Sequence, residues 1–284
     1  QSWLLEPSDG PFLLPRRPRD SHKGTYGHLG VWAGTQSMPG AGILTLNGAL
    51  RSGVGLVSWF ADAPTIARAE ERPPEAMLRE VNADLDKGFW KTGLDKLTAM
   101  VVGPGLGLGE GRQSELGDLL EVAEIPLCLD ADALNLVASD LSVLTSAGVP
   151  VVLTPHPKEM ARLSGLTVPE IQKNRIEVAQ QFATKYELTL ILKGARTVVA
   201  SSDGKVAVIG AGNPGLATAG SGDVLAGMVG SLLAQGLKPF TAAQLAALLH
   251  ACAGDAAAKQ MGEAGMIASD LVAGIGTVLA QWNR

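Results

Sequence analysis

What this chain lacks narrows its class before any motif is read. Cysteine is nearly absent: Cys128 and Cys252 lie far apart, each in an apolar segment. That excludes a disulfide-stapled scaffold and reads as two buried thiols of a reducing compartment. Positive charge is not in excess, since 23 Lys and Arg face 28 Asp and Glu, for a formal net charge of −5. No general basic surface recruits nucleic acid, so a polyanionic ligand must be held by local amides, one or two cations and a metal. No apolar run reaches the ~18 residues needed to span a bilayer, and no secretory signal pattern opens the chain. The expected location is the cytoplasm, with no membrane partner. Aromatics are scarce at 4%, whereas glycines number 35, a balance that suits an α/β fold with many tight strand-to-helix loops. The 284 residues, 46% of them hydrophobic, suffice for a large core in one domain or two. The first residue is Gln1 rather than Met, as expected of a piece of something longer.

Residues 1–20 are rich in Pro and Arg (Pro15-Arg16-Arg17-Pro18-Arg19) and read as an extended arm or linker, its basic cluster solvated or touching a ligand. Residues 21–284 read as a single domain, with no internal repeat and no interdomain linker. Short apolar runs alternate with helix-periodic segments. Strands are expected at Leu29–Ala33, Gly55–Phe60, Met100–Val102, Pro126–Leu129, Pro150–Leu153, Leu188–Leu192, Thr197–Ala200 and Val206–Ile209. Helices are expected at Gly40–Ser52, Gln113–Ala123, Lys158–Ser164, Pro169–Tyr186, Asp223–Gln235, Thr241–Met261 and Ala268–Trp282. Near-continuous apolar strands separated by helices predict an α/β fold: a mostly parallel central sheet with helices on both faces. The last two strands, joined through Ser202-Asp203-Gly204-Lys205, read as a late antiparallel hairpin.

The most informative stretch runs from Gly212 to Asp223, GNPGLATAGSGD, directly into an apolar helix-periodic segment. Unpartnered amides at a helix start carry partial positive charge and bind phosphate oxygens. Gly220 and Gly222 remove the Cβ atoms that would hold a phosphate away. Asp223 is either a helix cap or a base that takes a proton from a hydroxyl about to attack a phosphoryl group. The run Gly210-Ala211-Gly212-Asn213-Pro214-Gly215 matches G-x-G-x-x-G, but Pro214 and further loop residues precede the helix and position 230 is Gly. A dinucleotide-binding Rossmann turn needs a helix opening within the motif and an acid about 20 residues on. No G-x-x-x-x-G-K-[ST] exists either.

In open α/β sheets ligands bind outside the carboxyl ends of the strands. Five further loops fall there: Gly34–Gly42, Gly103–Gly109, Asp130–Asn135, Thr154–Glu159 and Lys193–Thr197. Lys193 after an apolar strand needs an anionic partner, which a phosphate would provide. His156, between two prolines, either caps the next helix, satisfies a core group or faces the ligand. Glu159 either complements that helix's dipole or holds a metal-bound water.

These loops, in this order, resemble the ADP-dependent NAD(P)H-hydrate dehydratase family of the ribokinase-like superfamily, the carboxyl-terminal half of bifunctional nicotinamide-nucleotide repair enzymes. The matching motifs are SHKGTYGH at 21–28, MPGA at 38–41, VGPGLG at 102–107, LDADALN at 129–135, TPHPKE at 154–159, KGART at 193–197 and GSGD at 220–223. The resemblance implies dehydration of hydrated NADH and NADPH (the S epimer), with ADP as co-substrate (ATP being the other nucleotide to consider) and Mg²⁺ as cofactor. It implies Asp223 as catalytic base and nucleotide binding by Lys193, Gly194, Ala195, Arg196, Thr197 and Gly222. The loop residues Asn213, Gly220 and Ser221 are placed with them. Ala41, Gly105, Gly107, His156 and Asp223 would contact the hydrated dinucleotide, and Glu159 would be the metal-associated acid. A homo-oligomer such as a tetramer, and a fused or partner epimerase, are also implied. Two positions depart from the family pattern. Ser221 stands where Thr is frequent, and Lys158, where Gly is common, either assists phosphate or faces solvent. The competing readings are a ribokinase-like kinase of a small alcohol, such as a vitamin precursor, and a nucleotide-binding module without turnover.

Overall fold

The computed structural model describes residues 1–81 and 85–283. Ten strands form one sheet: β1 (Ser2–Leu5), β2 (His28–Trp32), β3 (Leu56–Ala61), β4 (Ala76–Glu80), β5 (Ala99–Val102), β6 (Leu127–Leu129), β7 (Val151–Leu153), β8 (Thr189–Leu192), β9 (Val198–Ala200) and β10 (Val206–Ile209). Their order across the sheet is β1-β10-β9-β8-β7-β6-β5-β2-β3-β4. Every pairing is parallel except the two made by β9, which runs against β8 and β10. The expected late hairpin is therefore present, between β9 and β10.

Strand residues alternate between two cores, one on each face. In β5, Ala99 and Val101 join one core while Met100 and Val102 join the other. The first core is covered by the helices Pro39–Arg51, Ser221–Ala234, Pro239–Met261 and Ala268–Trp282. The second is covered by Arg112–Val122, Asp132–Val137, Pro157–Ser164 and Arg175–Lys185, among others. Burial on both faces is why these strands read as apolar runs rather than alternating ones. Helices 39–51 and 221–234 approach so closely that a Cβ on Gly227 would overlap the Thr45 carbonyl. Only glycine permits that approach, and Gly220, at the start of helix 221–234, in turn lies against Leu44 of helix 39–51.

Three expectations need correction. Residues 1–20 are not wholly an extended arm. Ser2–Leu5 is a strand paired in register with Val206–Ile209, and Gly10 lies against the Trp282 ring. Pairing with an edge strand ordered a segment whose own composition suggested none. The strand β4 carries no strand signal in its sequence because it lies at the sheet edge, where Met77, Leu78, Arg79 and Glu80 are all exposed and show no alternation. The helix expected over 169–186 is two helices, Val168–Lys173 and Arg175–Lys185, broken at Asn174 (φ −130°).

Candidate active site

The chain runs from β2 outward to β3 and β4, then returns to place β5 on the other side of β2. Connections leave this point in opposite directions, opening a crevice at the carboxyl ends of the strands. The loops after β2 and β5 meet there, with the Gly34 amide donating to the Pro104 carbonyl at 2.7 Å. Gly105 adopts φ 60°, and a Cβ built on it would lie 2.7 Å from Ala41 Cβ. The expected substrate contacts Ala41 and Gly105 are thus neighbours. The Gly107 amide donates to Asp132 Oδ2 at 2.8 Å. A cleft of about 580 Å³, lined by Leu108, Glu110, Gln113 and Leu136 among others, opens beyond this loop, but neither Lys193 nor Asp223 lines it.

Asp130 directly follows β6 and is 1% exposed. Its Oδ1 accepts from Lys193 Nζ at 2.7 Å, so the protein itself supplies the anionic partner that Lys193 requires. Burial alone would lower the Lys193 pKa, but Asp130, Glu159 and Asp223 together raise it, and the side chain stays charged. Between Asp130 and Asp132, Ala131 holds φ 51° and ψ −115°, a conformation that L-residues rarely adopt. Such a residue costs roughly 1–3 kcal/mol. The turn it makes sends Asp130 to Lys193 and Asp132 to the Gly107 amide.

Opposite Lys193, helix 221–234 begins after Gly220 (φ 85°). The Val224 amide reaches the Gly220 carbonyl, whereas the amides of Gly222 and Asp223 have no acceptor among the described residues. A Cβ on Gly222 would stand 3.2 Å from Lys193 Nζ and 3.7 Å from Asp130 Oδ2. Free amides and a cation therefore border one small space, which suits an anion. Asp223 lies in that first turn. Burial raises its pKa to about 7; Asp130, Asp132 and Glu159 add to the rise, and Lys193 opposes it. A carboxyl poised near neutrality can exchange protons with a substrate hydroxyl.

His156 is the N-cap of helix 157–164: its Nδ1 accepts from the Lys158 and Glu159 amides at 3.0 and 3.1 Å. Burial, followed by Lys193, lowers its pKa, so the ring is neutral at pH 7 with the proton on Nε2. The side chain remains 43% exposed. Glu159 completes a capping box by accepting from the His156 amide at 2.8 Å, and its Oε2 lies 3.9 Å from Lys193 Nζ. Burial raises its pKa to about 7. Lys158 is exposed.

The loop after β8 presents Gly194, Ala195 and Arg196 to solvent, and Thr197 Oγ1 donates to the Gly194 carbonyl at 3.0 Å. Asn213 is occupied within its own loop, accepting from the Gly215 amide and donating to Asp255 Oδ1 at 2.9 Å.

The family described as NAD(P)H-hydrate dehydratase matches residues 29–276, which include every loop of this crevice. The chain belongs to that family. Its dehydratase-family relatives include a bifunctional NAD(P)H-hydrate repair enzyme of Moorella thermoacetica, 42% identical over 266 residues, covering 91% of this chain and 50% of that protein. An ADP-dependent (S)-NAD(P)H-hydrate dehydratase of Neisseria meningitidis is 40% identical, covering 96% of this chain and 90% of that one. The chain spans about half the length of the bifunctional curated relatives it matches. Among solved structures, an ADP/ATP-dependent NAD(P)H-hydrate dehydratase of Bacillus subtilis, co-crystallized with ATP/Mg2+, superposes with a TM-score of 0.84 at 31% identity, covering 97% of each chain. The fold of this dehydratase-family chain is ribokinase-like.

Four residues of the site region carry no role in the sequence reading: Asp130, Asp132, Arg175 and His250. The two aspartates were visible as a carboxylate pair after an apolar strand, but not their partners. Arg175 Nη2 donates to the Leu192 and Lys193 carbonyls at 2.8 and 3.2 Å and so braces the end of β8. Neither Arg175 nor His250 carries a local signal, since both sit within ordinary helix patterns.

Proposed function

We propose that this chain restores hydrated NADH and NADPH, as the S epimer, to the reduced dinucleotides in a reaction driven by ADP. The observation that carries this reading is Asp223, a carboxyl with pKa near 7 in the same helical turn as two amides without acceptors, across from Lys193. Hydroxide is a poor leaving group from the C6 ring carbon. Asp223 takes the C6 hydroxyl proton as that oxygen attacks the terminal phosphoryl group of ADP in line, and AMP leaves. The amides of Gly222 and Asp223 and the Lys193 ammonium stabilise charge on the transferring group. The C6–O bond then breaks with its electron pair on phosphate, pushed by the ring nitrogen. Loss of the neighbouring ring proton restores the double bond. The products are AMP, phosphate and the reduced dinucleotide, the balance of a carbon–oxygen lyase.

Lys193, Gly194, Ala195, Arg196, Thr197 and the Gly220–Gly222 turn would hold the nucleotide. Ala41, Gly105, Gly107 and His156 would hold the substrate. Asn213 would act only through its loop, because its side chain is already paired. Mg²⁺ binds commonly through one or two carboxylates, waters and substrate phosphates rather than a protein cage. The donor set fits it: no three ligating side chains converge among the described residues, and Glu159, Asp130 and Asp223 leave more negative charge than Lys193 offsets. Glu159 would hold the ion through water, and the ion would neutralise phosphate charge. The same reading includes a cytoplasmic homo-oligomer served by an epimerase, fused or separate.

Incubation with hydrated NADH, Mg²⁺ and either ADP or ATP tests the reading through recovery of reduced-nicotinamide absorbance. Recovery with ADP is expected; no recovery with either nucleotide would sink it, and a stable phosphate ester would indicate a small-alcohol kinase instead.

A further inference from the structure

His250 lies on helix 239–261, outside every loop that forms the crevice, and reaches the first turn of helix 221–234. Its Nε2 stands 3.0 Å from the Ser221 carbonyl oxygen and 3.1 Å from Ser221 Oγ. Burial lowers the imidazole pKa to about 4, so near pH 7 the ring is neutral and carries one N–H. A carbonyl oxygen only accepts hydrogen bonds. At 3.0 Å the nitrogen facing it must therefore bear the proton, because the other tautomer would set lone pair against lone pair.

A consequence follows for Ser221. Since Nε2 already holds a proton, it cannot accept the one on the Ser221 hydroxyl. Ser221 Oγ has no other hydrogen-bond partner among the described residues, although the residue is only 6% exposed. Its proton is thus left without an acceptor in the turn where the Gly222 and Asp223 amides also lack one. Three donors at one helix start, all unspent, require an acceptor from outside the protein.

We propose that His250 is a positioning residue: by donating to the Ser221 carbonyl and hydroxyl oxygens it turns the Ser221 O–H outward as a hydrogen-bond donor to the phosphate oxygens of the bound nucleotide. This rests on the nucleotide-dependent reading above and adds to it a side-chain donor with a dedicated orienter. Thr at position 221 would serve equally, because it keeps the hydroxyl.

The test is ADP binding by calorimetry, with kcat and KM, for the parent protein, Ser221→Ala, His250→Phe, His250→Gln and the Ser221→Ala/His250→Phe double variant. A hydrogen bond to a charged group makes the expected loss about tenfold in ADP affinity for Ser221→Ala and for His250→Phe. The double variant should be no weaker than either single one, and the KM for ADP should rise in step with the loss of affinity, because the orienter works only through the hydroxyl. His250→Gln, whose amide N–H can reach the same oxygens, should bind ADP like the parent. Additive losses, or parental affinity in Ser221→Ala, would overturn the proposal. Nitrogen-15 spectra of the imidazole provide a check that needs no variant: a proton on Nδ1 instead of Nε2 also overturns it. A parent protein that binds ADP yet leaves hydrated NADH unrepaired would remove the functional reading while leaving this role standing. One that binds no nucleotide removes both.

Discussion

Lys193 Nζ lies 2.7 Å from Asp130 Oδ1, a contact that joins the ends of β8 and β6 across the intervening strand β7. The pair holds the Lys193 ammonium in a fixed position between the two strand ends. Around it the charge is unbalanced. Glu159 stands 3.9 Å from the same nitrogen, and Asp223 and Asp132 add further negative charge to the surroundings. Burial first, and the neighbouring carboxylates after it, raise the pKa values of Asp223 and Glu159 against the pull of Lys193.

Removal of Asp130 takes from the largely buried Lys193 its nearer carboxylate and leaves only Glu159, at 3.9 Å, paired with it. Breaking a buried pair in this way destabilises by about 3 kcal/mol. Asp130→Ala should therefore lower the melting temperature by roughly 6–12 °C in a domain of this size. A melting temperature unchanged within about 2 °C would show that the ion pair contributes nothing net.

The contribution of Asp223 and Glu159 to stability should fall as pH rises from 5 to 8, opposite in sign to that of the buried His250, whose pKa is lowered to about 4. Asp223 and Glu159 have folded-state pKa values raised to about 7, from 3.8 and 4.5 respectively. Between those limits the folded state binds more protons than the unfolded one, so each rise in pH favours unfolding, and the penalty is complete above about 7. Asp223→Asn removes its share and should melt higher than the parent at pH 8, by a few degrees, with a smaller gap at pH 5. Thermal melts of both proteins at the two pH values decide it; an Asn variant that melts lower at pH 8 contradicts the assignment.

In the proposed reaction the same carboxyl would set the pH dependence of turnover. As a base Asp223 must be ionised, so kcat/KM in the ADP-driven reaction should climb through pH 7 to a plateau. Asp223→Asn should lose at least about 10²-fold in kcat while its ADP affinity stays within a few-fold. A flat profile from pH 5 to 8, or an active Asn variant, would refute the role of base.

Ala131 offers a test of stored strain. Its φ of 51° is open to glycine without penalty. Relief of roughly 1–3 kcal/mol is partly offset by the added freedom of glycine in the unfolded chain. Ala131→Gly should then stabilise by about 1 kcal/mol, seen as a rise of 2–4 °C in melting temperature. A loss of stability would mean that the neighbouring hydrogen bonds, rather than the backbone, determine this turn.

Much of the fold was legible because the signals are local. Eight apolar runs of strand length became β2, β3 and β5 through β10, since strands buried on both faces leave continuous hydrophobic segments. The strands β1 and β4 were not legible, because an edge strand is ordered by its neighbour more than by its own residues. The site was legible as a set of loops at one sheet edge, and Ala41 and Gly105 do meet. His156, Glu159 and Asn213 were less legible, because their side chains are engaged in capping and loop contacts that spacing alone does not rank against ligand binding.

By itself the sequence determined an α/β sheet with loops rich in glycine at its carboxyl edge, and a helix start suited to an anion with Asp223 inside it. These depend on residues close together along the chain, where periodicity and backbone sterics act. Only the tertiary structure decided that Lys193 is held by Asp130, 63 residues away, and that Ser221 is faced by His250, 29 residues away. It also moved the Asp223 carboxyl to about 7. Burial and the Coulomb interaction depend on distance in space, and the chain had to fold before Asp130, Glu159 and Asp223 could gather around Lys193.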